Sequence, residues 1–193
     1  VQALTTHKFG VGNSGFRVGM EEGEADTVPF GFFKKEIFNK IGLFEEKLIR
    51  CQDYEFNSRI RKFDGKIWLN PAIRASYYNQ DSLFKFYKKQ LFLEAPYNAY
   101  MWYLAPYTFT LRHAITGVFS FGFISGIILS QFNHYINLIF SGVMILYGIL
   151  ALISSAQQAL RFKSILLTFF LPFLFFFFHL IHGLGVLIGI FKA

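Results

Sequence analysis

The polar part of the chain is organised around residues 41–65, IGLFEEKLIRCQDYEFNSRIRKFDG. Within this stretch Phe56, Ile60 and Phe63 recur at helical spacing, which predicts a helix over residues 52–63 with one buried face. Gly65 follows the last of these residues and is typical of a helix stop. Asp53 falls in the first turn of this helix, where the helix dipole favours a negative charge.

The helix alone leaves two interpretations of Asp53 open. A carboxylate fixed at a helix start beside a pocket can serve as a general base, because it is rigidly placed and ionised. Alternatively, Asp53 only complements the positive end of the helix dipole. Glu55 and Arg59 stand four residues apart, which is the spacing of an ordinary stabilising pair on a helix surface.

Hydrophobic residues are distributed unevenly along the chain. They make up 53% of its 193 residues, more than an ordinary soluble domain contains, and nearly all charged residues precede Arg112. The chain therefore divides into a polar part, residues 1–82, and a membrane part, residues 111–193. The net charge of +7 suits anionic lipid or phosphate-bearing substrates. No nucleic-acid partner is predicted, because the lysines and arginines are scattered and no nucleic-acid motif accompanies them.

Three apolar segments predict three membrane-spanning helices, over about residues 114–132, 136–154 and 165–191, each near the roughly 20 residues that a bilayer requires. Arg161 and Lys163 lie between the second and third segments, whereas the link between the first two carries no lysine or arginine. The positive-inside rule therefore predicts that the polar part faces the cytoplasm from the cell inner (plasma) membrane. Three crossings would place Lys192 on the far side.

Two histidines, His179 and His182, lie on one face of the third predicted span. Ionisable residues inside a membrane suggest a function, such as binding a metal or a lipid phosphate. They can equally form hydrogen bonds with a neighbouring helix. Because the spans contain no acidic partner, we favour the hydrogen-bonded interpretation.

Residues 83–110, between the two parts, mix aromatic side chains with Lys85, Lys88 and Lys89. This composition predicts an amphipathic interfacial segment, with rings at headgroup depth and ammonium groups on phosphates. The alternative is an aromatic core packed against the polar part.

The N-terminal region carries two patterns that we do not interpret as sites. Residues 10–15, GVGNSG, match G-x-G-x-x-G, but no buried strand precedes them and no helix opens within them, so a dinucleotide site is rejected. The acidic residues between Glu21 and Asp26 lack the spacing of a calcium loop and indicate a solvated loop.

The remaining polar residues predict short elements and a structural thiol. We expect a helix over residues 34–41 and strands over residues 66–70 and 73–78, with residues 27–33 forming either a strand or a pocket wall. The single cysteine, Cys51, excludes an internal disulfide. No histidine lies near it in the sequence to activate it, so Cys51 is interpreted as structural.

Four blocks then occur in a fixed order: TVPFGFFKKEIF at 27–38, IGLFEE at 41–46, QDYEFNSRIRK at 52–62 and GKIWL at 65–69. Together they resemble the C-terminal half of a family 2 glycosyltransferase, in particular the membrane-bound enzymes of succinoglycan-type exopolysaccharide biosynthesis. The resemblance covers roughly residues 11–93, and the three trailing spans agree with it.

The resemblance implies an α/β fold, a partial GT-A domain followed by three transmembrane helices. It also implies an inverting reaction, in which a carboxylate deprotonates an acceptor hydroxyl that attacks the anomeric carbon of a nucleotide sugar. Asp53 takes the role of this base. Gln52 stands where the family has a glutamate, which weakens the support for the base, and Gly31 and Phe32 fall where the family lines the acceptor pocket.

Further expectations follow from the same resemblance. Gln52, Glu55 and Arg59 would support the base or contact the acceptor. The complete enzyme would use Mg or Mn with a nucleotide-sugar donor, but Tyr77 and Tyr78 fall near the family's metal-binding histidine, and no Asp-x-Asp is present. We therefore expect a fragment whose donor-binding half lies outside this chain. The expected partners are membrane lipid, the nucleotide-sugar donor and a lipid-linked saccharide acceptor.

A different class of function also fits the sequence. A non-enzymatic membrane protein whose cytoplasmic domain docks a partner would have the same division into polar and membrane parts. It would tolerate substitution of Asp53, whereas the enzyme would not.

Overall fold

The structure is a computed structural model that describes residues 1–192. It is 67% helical, and its strands within that range are β1 (Gly23–Glu24) and β2 (Trp68–Leu69), which pair antiparallel with Gly23 opposite Leu69. The predicted α/β GT-A fold is therefore wrong for this chain. Residues 27–33 and 73–78 are irregular, because a strand needs a neighbour to bond its backbone groups and neither segment has one among the described residues.

Five short helices belong to the polar part: α1 (Gln2–Thr5), α2 (Lys8–Val11), α3 (Gly15–Val18), α4 (Lys35–Ile41) and α5 (Gln52–Lys62). The predictions of helices over residues 34–41 and 52–63 are confirmed to within one residue at each end. Phe56 is fully buried and forms a core with Ile60 and Ile67. The rings of Phe33, Phe38 and Phe44 surround Phe56, with centroids 4.5 to 5.3 Å away.

The predicted interfacial segment is largely helical. It contains α6 (Leu83–Lys89), a π-helical turn (Gln90–Glu94), α7 (Ala95–Leu104) and a 3₁₀ turn (Pro106–Thr108). The π turn precedes Pro96, which has no backbone N–H to donate to the hydrogen-bond pattern of the helix. One face packs on the third apolar helix, where Phe86 stacks on Phe178, while Phe84 and Phe92 are exposed. The segment thus combines a packed aromatic face with an exposed one.

Three helices are long and apolar enough to cross a membrane. They are α8 (Leu111–Leu129), α9 (His134–Arg161) and α10 (Leu166–Lys192), with mean hydropathies of 1.4, 2.3 and 2.2. The prediction of three such helices is confirmed. Helix α9 begins where the Asn133 side chain caps the amides of Tyr135 and Ile136, and it continues seven residues past the predicted end at Ser154.

The extra turns of α9 are explained by the N-terminal helices, which dock onto them. Gln158 donates from Nε2 to the carbonyl oxygen of Ala3 at 2.5 Å, and Arg161 donates to the carbonyl oxygen of Thr6 at 2.9 Å. The Leu4 side chain enters a core formed with Leu171 and other residues of α10. Residues 1–11 are therefore packed structure. The expectation that no helix opens within residues 10–15 is wrong, because α3 begins at Gly15.

Helix α10 lies at the centre of the molecule and contacts α1, α2, α6, the π turn, α7, α8 and α9. Its glycines permit this packing. A Cβ atom at Gly183 would overlap the Thr116 carbonyl oxygen of α8, and one at Gly189 would lie 2.6 Å from the Pro96 carbonyl oxygen of α7. Small residues at such positions let helix backbones approach closely in a membrane.

The apolar helices are not three parallel rods. Early residues of α8 meet late residues of α10, as in the pairs Thr116–His182 and Phe123–Phe176, so these two helices run antiparallel. Contacts between α8 and α9 also run in opposite directions, from Phe123–Phe140 to Phe119–Tyr147. Helix α10 turns back on α9 after a tight turn, and Tyr147 meets His179. Three straight helices cannot all be mutually antiparallel, so their axes cross.

This crossing places the end of α10 differently from the sequence prediction. Lys192 lines a groove together with Tyr97 and Tyr100 of α7, and those two tyrosines pack on the cluster of Leu48 and Tyr54 in the polar part. Lys192 is therefore close to the polar part, whereas three simple crossings would place it on the far side of the bilayer.

Replacing Gly183 with alanine should destabilise the protein by about 1–3 kcal/mol, because the added methyl group overpacks the α8–α10 contact. Gly142 provides a matched control on α9, since a Cβ atom there meets nothing within 4 Å. Gly142→Ala should be neutral or stabilising by up to about 1 kcal/mol through helix propensity. Thermal unfolding in detergent measures both variants, and equal effects would contradict the close packing.

A labelling experiment tests the position of Lys192. In sealed vesicles, an impermeant maleimide should label Lys192→Cys from the same side as Asn39→Cys, which lies on an exposed position of α4. Gln131→Cys, in the turn between α8 and α9, should label from the opposite side. Labelling of positions 131 and 192 from one side would instead support three full crossings.

Candidate functional site

The Asp53 carboxylate lies in the first turn of α5 and is half-buried. Burial raises the pKa of Asp53 above its ordinary value, and the backbone N–H of Phe30, next to Gly31, partly opposes this effect. The predicted base therefore lies near the loop that carries Gly31, and its side chain is partly exposed.

The loop that meets Asp53, Thr27–Gly31, has an unusual backbone and is followed by an exposed aromatic residue. Phe30 has φ of 53°, a conformation that L-residues other than glycine rarely adopt. Phe30 and Phe32 are 71% and 92% exposed, so two aromatic rings of this segment stand at the protein surface.

Asn57 holds this loop on α5. Its side chain is fully buried, and Nδ2 donates to Thr27 Oγ1 at 2.8 Å and to the Val28 carbonyl oxygen at 2.9 Å. Sequence reasoning missed this residue. The available signal was an amide at the fourth position after Asp53, on the same helix face.

Glu55 and Arg59 form a buried network that ties α5 to the membrane part. Glu55 is 2% exposed, and Arg59 binds it through two nitrogens, at 2.9 and 2.5 Å. Arg59 also donates to the carbonyl oxygens of Ile41 and Leu43. The Tyr107 hydroxyl, in the 3₁₀ turn before α8, donates to Glu55 Oε1 at 2.6 Å. The pKa of Tyr107 is raised to about 12 by burial and by this bond.

A cleft of about 430 Å³ lies along this network, lined by Glu46, Lys47, Glu55, Arg59 and Tyr107 among others. Asp53 is not among its lining residues. The polar atoms of Glu55 and Arg59 are occupied by internal bonds, so the contacts seen are structural. A role for Glu55, Arg59 or the half-buried Gln52 in supporting the base or binding an acceptor stays a prediction.

The start of α5 also contacts the first apolar helix. The Tyr54 ring packs edge-on against His113 of α8 at 4.8 Å between centroids, and the Arg112 guanidinium lies over the same tyrosine ring at 5.1 Å. Arg112 forms an ion pair with Asp26 at 2.6 Å. Asp53, the neighbour of Tyr54, is thereby fixed close to the first turn of a membrane helix.

Cys51 caps the start of α5 with φ of 66° and donates from Sγ to Asn98 Oδ1 at 3.2 Å. Burial raises the pKa of its thiol to about 12, so very little thiolate exists at neutral pH. These contacts agree with the interpretation of Cys51 as structural, which stays a prediction.

The two membrane histidines bond to neighbouring helices, as the favoured interpretation predicted. His179 Nδ1 lies 2.8 Å from the Tyr147 hydroxyl of α9, and His182 Nδ1 lies 3.0 Å from Thr116 Oγ1 of α8. Among residues 1–192, no group of three or more His, Cys, Asp or Glu side chains is arranged to hold a metal ion. The divalent cation stays a prediction about ligands outside this chain.

Comparison with known proteins supports a glycosyltransferase with membrane-spanning helices. Over 191 residues the chain is 27% identical to the dolichyl N-acetyl-alpha-D-glucosaminyl phosphate 3-beta-D-2,3-diacetamido-2,3-dideoxy-beta-D-glucuronosyltransferase of Methanococcus voltae, a match that covers 94% of this chain and 52% of the relative. The chain thus spans about half the length of the curated relative it matches. No family model matches the chain, and no solved structure matches it.

Tyr107→Phe should lower the free energy of unfolding by about 2 kcal/mol, because it removes a hydrogen bond to a buried charged group. Tyr103→Phe is the matched control, since Tyr103 is largely exposed on α7 and should change stability by less than about 0.5 kcal/mol. Chemical or thermal unfolding in detergent compares the two. Equal stability of both variants would show that the Tyr107–Glu55 hydrogen bond does not contribute to the free energy of unfolding.

Proposed function

We propose that this chain forms part of an inverting, nucleotide-sugar-dependent glycosyltransferase that acts on a lipid-linked saccharide at the membrane surface, with Asp53 as the general base. The observation that carries the proposal is the placement of Asp53: a half-buried carboxylate, near the backbone N–H of Phe30, and one residue from the contact of Tyr54 with α8. The similarity to a transferase named for a dolichyl phosphate sugar supports the same function.

In the proposed reaction, the Asp53 carboxylate takes the proton of an acceptor hydroxyl. The hydroxyl oxygen forms a bond to the anomeric carbon of the donor, and the bond from that carbon to the nucleotide diphosphate breaks. The diphosphate leaves with the electron pair, and attack from the opposite face inverts the anomeric configuration. The residues of this chain would supply the base and the acceptor surface, while donor and metal binding would require groups elsewhere.

The raised pKa of Asp53 suits this role. A general base works best when its pKa approaches the working pH, provided that it stays ionised. Burial shifts Asp53 in that direction. On the membrane side, the fixed contact of α5 with α8 would hold the base at a constant height above the bilayer, where a lipid-linked saccharide is presented.

The acceptor proposed is a saccharide on a polyprenyl-type phosphate. The exposed Phe30 and Phe32 rings provide a surface on which a sugar ring can stack, and Phe84 and Phe92 of the interfacial segment are exposed near the membrane helices. Lys85 and Lys88 on α6 are likewise exposed, which suits contact with lipid phosphates. We propose the cytoplasmic face of the plasma membrane as the location.

Asp53→Asn tests the base directly. In the full-length protein in membranes, with dolichyl N-acetyl-α-D-glucosaminyl phosphate and nucleotide-activated 2,3-diacetamido-2,3-dideoxyglucuronic acid, transfer should fall at least about 100-fold, the lower range for loss of a general base. Thermal stability should not fall, because the amide oxygen can still accept the Phe30 N–H and an uncharged group is easier to bury.

If Asp53→Asn still transfers sugar at the wild-type rate, the assignment of Asp53 as the base is wrong. Asp64→Asn is the control, since Asp64 is exposed after the end of α5 and its variant should transfer sugar normally. The wild-type protein and Asp53→Asn could both be expressed normally in membranes while neither transfers sugar. That result would support the non-enzymatic docking protein instead.

A further inference from the structure

Asn57 is buried at the fourth position after Asp53, and both side chains lie at the same loop. Asn57 donates to Thr27 Oγ1 and to the Val28 carbonyl oxygen, and the Phe30 N–H lies near enough to the Asp53 carboxylate to lower its pKa. Residues four apart lie on one face of a helix. One face of α5 therefore meets the Thr27–Gly31 loop at two places.

Burial alone would not favour an amide side chain at position 57. Its Oδ1 atom is buried without a hydrogen-bond partner, and an unsatisfied buried acceptor costs about 1–3 kcal/mol. An apolar side chain of similar size would avoid that cost, since Phe56 and Ile60 already form an apolar core on this helix. The benefit of an amide is directional, because it fixes two specific acceptors of the loop.

The loop needs such fixing because its backbone is strained. Phe30 has φ of 53°, and a residue other than glycine in this region costs on the order of 1–3 kcal/mol unless the surroundings hold it there. A free loop would relax to another conformation. The Phe30 N–H would then no longer point at the Asp53 carboxylate.

We propose that Asn57 is a positioning residue for Asp53: by binding Thr27 and Val28 it keeps the Phe30 N–H beside the Asp53 carboxylate. This inference rests on the proposed function of Asp53 as the base. Asn57 itself touches no substrate in this scheme. It acts through the loop, where the Thr27 hydroxyl oxygen accepts a hydrogen bond from its amide.

The test uses Asn57→Leu and Thr27→Val, which keep size and burial but remove the amide–hydroxyl bond. Ser58→Ala is the matched control, because Ser58 is the next residue on α5, is equally buried and accepts a bond from Arg61 rather than from the loop. All three variants are made in the full-length protein. Hydrogen–deuterium exchange follows the Phe30 amide, and thermal unfolding follows stability.

We expect faster exchange of the Phe30 amide in Asn57→Leu and Thr27→Val, and unchanged exchange in Ser58→Ala. With the same acceptor and donor as above, kcat should fall by about 10- to 100-fold in Asn57→Leu, the size of effect of a small misplacement, while the KM for the donor stays constant. The acid limb of the pH profile of kcat/KM should move to higher pH, because the Phe30 N–H that lowers the pKa of Asp53 is lost.

The outcomes separate the two proposals. If Asp53→Asn keeps full transfer, the base assignment fails, and the exchange data still report whether Asn57 holds the loop. If Asp53→Asn is inactive but Asn57→Leu keeps both the wild-type pH profile and the Phe30 protection, the positioning role of Asn57 is overturned. Equal kinetic losses in Ser58→Ala and Asn57→Leu would show a general packing effect and would also overturn it.

Discussion

Close backbone packing on α10 is the constraint on which the rest of the structure depends. In a bilayer, lipid tails are as apolar as side chains, so helices gain little by hiding apolar surface from lipid and must gain stability from close contact and hydrogen bonds. Gly183 and Gly189 allow α8 and α7 to approach the same helix from different sides. The Ser120 hydroxyl adds a bond to the Leu180 carbonyl oxygen at 2.9 Å, at the level of the tightest contact.

The residues before and at the start of α8 connect the packed membrane helices to the polar part. Tyr107, just before α8, bonds to Glu55 of α5. Arg112, in the first turn of α8, lies over the ring of Tyr54 of α5. These contacts hold the first turn of α5 against the start of α8. A carboxylate in its first turn consequently keeps a fixed orientation relative to the bilayer. For an acceptor confined to a membrane, that orientation matters as much as the chemistry of the group.

The sequence predicted the elements that depend on local periodicity. Helix α5, helix α4 and the three apolar helices follow from the spacing of side chains within one segment, and the Glu55–Arg59 pair follows from helix geometry. Strands depend on a distant partner as well. The strand predicted over residues 66–70 forms as Trp68–Leu69, because Gly23–Glu24 pairs with it, whereas residues 73–78 have no partner in the described part of the chain. Tyr107 and Asn57 were missed because their partners lie 52 and 30 residues away in sequence.

The balance of forces on Asp53 links the local geometry to the proposed chemistry. Burial disfavours the charged form, and one backbone N–H favours it. A carboxylate with several such donors would be well ionised but too weakly basic to accept a proton from a sugar hydroxyl. A carboxylate with none, equally buried, would be more often protonated and therefore inactive. Burial and the Phe30 N–H shift the pKa of Asp53 in opposite directions, and in the proposed mechanism the loop that Asn57 binds would maintain this balance.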